Sequence, residues 1–196
     1  MYYTIVKFSK KKSIQNKIEL INRCKDRCKG LSQYKKIVKE YRDDHGLDID
    51  IDTIDGVSIR FSDEIDSSAK TVNGEISLNE EIIGKSDLGK EVEESSDEDL
   101  VTRYILHEMV HVFQHMKNEG KSIKKEKEYL NREEEREAFQ AQISFMKDNG
   151  EDILSYLRRV LDLHDVKDKD LEEVVDSLLS GLSKEDKENL KEKLEE

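Results

Sequence analysis

The sequence predicts an α+β fold, a small sheet beside a buried helix followed by a helical C-terminal region, on three observations. Short alternating stretches flank Asn73-Gly74, the run from Leu100 to Met116 is apolar on nearly every side, and the chain from Asn131 onward has helical spacing. In chain order, Tyr2 to Phe8 is aromatic and β-branched and reads as a strand. Ser13 to Gly30 and Leu31 to His45 read as helices, with Ile14, Ile18, Leu20 and Ile21 in the first and Leu31, Tyr34, Ile37, Val38 and Tyr41 in the second; Gly46 stops the second. Ile49, Ile51 and Ile54 precede Gly56. Val57, Ile59 and Phe61 then alternate with polar residues as in a half-buried strand. Asn73-Gly74 marks a turn, and Ile76 and Leu78 continue beyond it with Glu75, Ser77 and Asn79 between them, which gives a small antiparallel or mixed sheet.

Ser86 to Asp99 is acidic and poor in apolar side chains, so it reads as a loop. A capping-box spacing, Ser95 to Glu98, starts the next helix, which runs to about Gly120 and belongs in the core, because Val101, Ile105, Leu106, Met109, Val110, Val112, Phe113 and Met116 surround it. Further helices follow at Asn131 to Asn149, Asp152 to Leu163, Asp168 to Leu182 and Ser183 to Glu196; the last has only Leu190 and Leu194 as large apolar residues and is expected to fray. This divides the chain into one domain over 1–150 and a helical C-terminal appendage over 151–196.

Composition narrows the function. With 34 Lys+Arg against 46 Asp+Glu the net charge is −12, the wrong sign for a nucleic-acid binder. The basic runs Lys10-Lys11-Lys12 and Lys117 to Lys127 read as solvated surface, the second being interleaved with Glu119 and Glu126. No apolar stretch approaches the roughly 18 residues of a membrane span, and the first residues lack a secretory pattern. Cys24 and Cys28, four apart in a helix, are expected to be reduced structural thiols, and the compartment to be the cytoplasm.

The chemistry lies inside the core helix, in His107-Glu108-Met109-Val110-His111. Residues four apart on a helix project from one face, so both imidazoles reach one cation while Glu108, displaced around the axis, addresses a water. Two imidazoles and a carboxylate in an apolar helix are costly to desolvate, and a metal removes that cost. A catalytic zinc takes three protein ligands, so a third must come from elsewhere. A metzincin would need Gly at position 114 and His at 117, where this chain has Gln114 and Lys117. His115 shares the helix face but lies two turns from His107, too far to share its ion, and is expected at the rim. Glu133, Glu134, Glu135 and Glu137 compete for the role. Glu135 extends the stripe of Ala138, Phe139, Gln142, Ile143 and Met146 that faces the core, and Glu134, aligned with Ala138, Ala141 and Phe145, is the second choice.

With these residues in view the sequence resembles the zincin metallopeptidases, in particular the gluzincins. His107-Glu108-x-x-His111 looks like their first motif and Glu135-x-x-Ala138 is similar to their third-ligand motif; Gly74 to Asn79 resembles the edge strand before the metal helix. The resemblance spans roughly 57–147 and implies a zincin-like fold, a Zn2+ held by His107, His111 and Glu135, and hydrolysis of peptide or protein substrates with Glu108 as the base. Tyr104, Tyr129 and His115 are then candidate donors to the oxyanion, and Glu75 to Asn79 an edge for an extended substrate. Where many members carry Asp or Asn just after the Ala, this chain has Phe139. The competing reading is a metal-stabilised protein-interaction module whose proteolysis is vestigial or latent. An open coordination position would separate the two.

Overall fold

A computed structural model describes residues 14–79, 97–119, 129–166 and 168–195. The strand expected at Tyr2 to Phe8, the residues Lys10 to Lys12, the Ser95 cap and most of the acidic loop lie outside these residues. Among the described residues the chain is α+β, mostly helical, with eight helices and one three-stranded mixed sheet. None of the described helices is long and apolar enough to cross a membrane.

Helix α1 (Ile14–Gly30) buries Leu20, Cys24 and Cys28, one turn apart each. Both thiols are free, and burial pushes both pKa values up, Cys24 to about 11, so they are inert packing groups. Helix α2 (Ser32–Asp43) buries Tyr34, Ile37, Val38 and Tyr41, the i, i+3, i+4, i+7 pattern of an amphipathic helix. Gly46, at φ +69°, ends it: its N–H donates to Arg42 O, the 5→1 bond of an αL cap that needs a left-handed residue, and that of Leu47 donates to Tyr41 O. A single helical turn, α3 (Thr53–Gly56), drops Ile54 into the core and leads to the sheet.

The strands are β1 (Ile59–Phe61), β2 (Ala69–Val72) and β3 (Glu75–Leu78), in spatial order β1-β3-β2. Asn73 and Gly74 both have positive φ, 52° and 79°, as a two-residue hairpin turn between β2 and β3 requires. Register pairs Ile59 and Thr71 with Ile76, and Phe61 and Ala69 with Leu78, so one face of the sheet is apolar and turns to the helices. The expected edge strand at Glu75 to Asn79 is corrected here. β3 is the central strand, parallel to β1 and antiparallel to β2, and the strand at the sheet edge nearest the core helix is β2.

Helix α4 (Asp97–Lys117) runs through the middle, with every residue from Leu100 to Val110 buried. It packs on α1, α2, the sheet and α5 (Glu133–Asp148), which a 3-10 turn at Tyr129–Asn131 precedes. Helices α6 (Ile153–Leu163), α7 (Asp168–Leu178) and α8 (Lys184–Glu195) close the other side of α5. Asp152 caps α6 by accepting from Ser155 N–H, and Ser183 does the same for α8 through Asp186 N–H. Leu190 and Leu194 of α8 pack against the cluster around Leu157 and Leu178, and Arg158 Nη2 donates to Lys193 O, so the last helix is held more firmly than its composition suggests.

Candidate metal centre

His107 and His111 stand one turn apart on α4 with ring centroids 5.1 Å apart. Helix α5 lies against α4 at Ala138, fully buried, where the small side chain lets the first turn of α5 approach. That turn carries Glu135, whose Oε2 lies 3.3 Å from His111 Nε2 and 3.9 Å from His107 Nε2. The ligand atoms of the three residues all lie within 4.8 Å of one another, the single such group among the described residues. Glu134 does not join it. With Glu133 and Glu137 it lines a polar cavity of about 710 Å³ on the far side, together with Tyr41, Gln114 and Arg136.

Each histidine Nδ1 faces a glutamine carbonyl oxygen, Gln142 Oε1 at 3.1 Å from His107 and Gln114 Oε1 at 2.7 Å from His111. With the two Nδ1–H groups so engaged, both Nε2 lone pairs converge on Glu135 Oε2, itself buried without a hydrogen-bond partner among the described residues. This donor set, two imidazole nitrogens and a carboxylate with an orphaned oxygen, could hold a metal ion.

Without the cation a proton takes its place. Burial pulls the His111 pKa down, but the hydrogen bond it donates to Glu135 and the charges of Glu108 and Glu135 outweigh it and hold it at about 9. Glu135 is pushed up by burial and down, further, by His111 and by a hydrogen bond from Tyr129, to about 2. His107, buried beside a second imidazole, falls to about 3.

Glu108 is displaced from the two imidazoles around the axis of α4. Thr71 Oγ1 of β2 donates to its backbone carbonyl at 3.2 Å, which pins the sheet edge to α4 at this residue. Its carboxyl is buried with Oε2 lacking a partner among the described residues, and burial raises its pKa against the His111 charge and the Thr71 hydrogen bonds. Of the three oxyanion candidates, Tyr129 alone reaches the cluster, through its hydrogen bond to Glu135. Tyr104 is buried under Arg103 with its hydroxyl unpaired among the described residues, and His115 packs at the Asn73-Gly74 turn.

Four neighbours of the centre were not anticipated from sequence as parts of it. Gln114 and Gln142 hold the imidazoles; Gln142 did carry a signal, being a polar residue on the stripe that faces the core. Phe139 sets its edge against the His107 ring at 4.9 Å, filling the place where a polar residue was missed. His164, at the end of α6, stacks on Tyr129 with centroids 4.4 Å apart and planes at 16°, so the C-terminal region touches the wall of the site.

Comparison with protein-family models, with curated proteins and with solved structures finds no match to this chain.

Proposed function

We propose that this protein is a zinc-dependent metallopeptidase, with His107, His111 and Glu135 as ligands and Glu108 as general base. The observation that carries the reading is the convergence of those three ligand atoms beside a buried carboxylate of raised pKa. Bound there, zinc would supply a Lewis acid and bring the pKa of a water it holds to near 7.

The chain's own residues would do the rest. Glu108, made more basic by burial, takes a proton from the attacking water and returns one to the leaving amine. Glu135 balances charge, and Tyr129, already at Glu135, is the nearest phenol to donate to a developing oxyanion. Strand β2, tied to Glu108 through Thr71 and with no strand paired on its outer edge among the described residues, offers its remaining backbone groups to an extended peptide. Three ligand-type side chains among the described residues, rather than four, suit an open catalytic position over a closed structural one, which weighs against the interaction-module reading.

Metal analysis of the purified full chain tests the centre: about one zinc per chain is expected, and a metal-free protein that refuses added zinc ends the proposal. Glu108→Gln tests the chemistry. Hydrolysis of an unfolded protein should fall by on the order of 10²–10⁴-fold while zinc stays bound.

A further inference from the structure

The geometry points to Gln114 as the positioning residue that fixes the tautomer of His111, with Glu137 and Tyr41 as the lock that fixes Gln114; this rests on the metal reading above. A side-chain amide presents a carbonyl oxygen on one side and an NH₂ on the other, and an imidazole beside it adopts whichever tautomer matches the face it meets. At Gln114 the choice is forced. Its Nε2 donates to the backbone carbonyl of Glu134 at 3.0 Å and to Glu137 Oε2 at 3.0 Å, two groups that only accept. Oε1 must therefore face His111, and at 2.7 Å it accepts from Nδ1–H. The tautomer that results leaves the Nε2 lone pair free to bind a cation.

Glu137 is in turn held. Tyr41 Oη donates to the same Oε2 at 2.9 Å, and Tyr41 is itself 1% exposed, clamped by the Phe113 ring with centroids 5.6 Å apart. The chain of contacts Tyr41, Glu137, Gln114, His111 thus runs from the α2 core through α5 and α4 to the candidate ligand. It also explains why Glu137 is not a ligand: its carboxylate is committed on the opposite side of Gln114 from the imidazole. His107 lacks an equivalent lock. Gln142 gives its Oε1 to His107, but its Nε2 is buried with no acceptor among the described residues, so nothing on the far side dictates which end of that amide faces the ring. The two imidazoles should therefore respond differently to loss of their amides.

The experiment measures zinc affinity by chelator competition on the full chain, with imidazole nitrogen NMR of the zinc-loaded form and thermal melts of the zinc-free form. Gln114→Met, which keeps length and loses both polar ends, should bind zinc about 10–100-fold more weakly, and the His111 Nδ1–H resonance should exchange rapidly with water. Gln114→Glu sets a second carboxylate against Glu137 and should weaken binding comparably. The exchange Gln114→Glu with Glu137→Gln restores a donor on 137 and an acceptor facing His111, leaving only the Glu134 carbonyl without its donor, so it should recover part of the loss without following the melting temperature. Wild-type zinc affinity in Gln114→Met, or a double variant no better than Gln114→Glu, overturns the assignment while leaving the metal centre standing. A wild-type chain that binds no zinc overturns both.

Discussion

The two apolar clusters that share helix α5 bury different chemistry. Ala138, Ala141 and Phe145 face the first, built with α1, α2, the sheet and α4; Phe139, Ile143 and Met146 face the second, built with α6, α7 and α8. Among the described residues the buried polar side chains His107, Glu108, Gln114, Thr102 and Arg103 all sit on α4, the central helix of the first cluster, whereas none lies on α6, α7 or α8, which build the second. Burying a polar group costs free energy unless it is partnered, so a cluster that keeps several does so for something other than stability. The second cluster has only to hold α5 in place. One ion pair joins the two: Arg103 of α4, 1% exposed, meets Glu151 ahead of α6 at 2.9 Å and lies over the Tyr156 ring.

That contrast can be broken by mutation. The largest effect is expected from Glu135→Ala, which should abolish stoichiometric zinc binding while Glu137→Ala only weakens it; the reverse order would move the ligand to the polar-cavity side and dissolve the distinction between the faces of α5. Next, Leu157→Ala, at a fully buried position of the second cluster, should lower unfolding free energy by about 2–5 kcal/mol. Zinc affinity of the folded protein should stay within twofold. A tenfold loss of affinity there would show the clusters to be one unit energetically.

The smallest effect concerns protons. A cation must displace the proton that Glu135 keeps on His111, so apparent zinc affinity should climb about tenfold per pH unit between roughly pH 7 and the His111 pKa of about 9, and level off above it. For the zinc-free chain the linkage runs in two directions. The raised His111 contributes stability below its usual 6.5 that is lost as pH rises through about 9; the depressed Glu135 contributes above its usual 4.5 and loses it as pH falls through about 2. Chemical denaturation across pH should show both limbs; in Glu135→Gln the acid limb should vanish and the alkaline one should shrink.

How much of this the sequence carried differs between the same two regions. Helix α4 was legible because apolar residues on every side leave little alternative to burial, and the spacing of His107 and His111 is local. Glu135 was separable from three competing glutamates because the stripe below it, from Ala138 to Met146, is read at helical period. The sheet order was not legible. Ile76 and Leu78 alternate with Glu75 and Ser77 in the same way whether a strand lies at an edge or in the centre, and β2, with Lys70 and Val72 exposed, has too little apolar character to announce itself as the neighbour of α4. The glutamines were illegible for a different reason. Gln114 and Gln142 are ordinary helix residues until α5 docks antiparallel on α4, and only that docking aims their amides at the rings.

The sharing of α5 also sets the smallest autonomous piece of this protein. A chain ending at Gly150 would retain every candidate ligand yet turn Phe139, Ile143 and Met146 out to water along one continuous helical ridge, with the partner charge of Arg103 gone. Phe139 is also the ring against His107. The C-terminal helices are thus less a passenger than the back wall of the centre, and any shortened version would need a new surface designed for α5 before it could hold a metal.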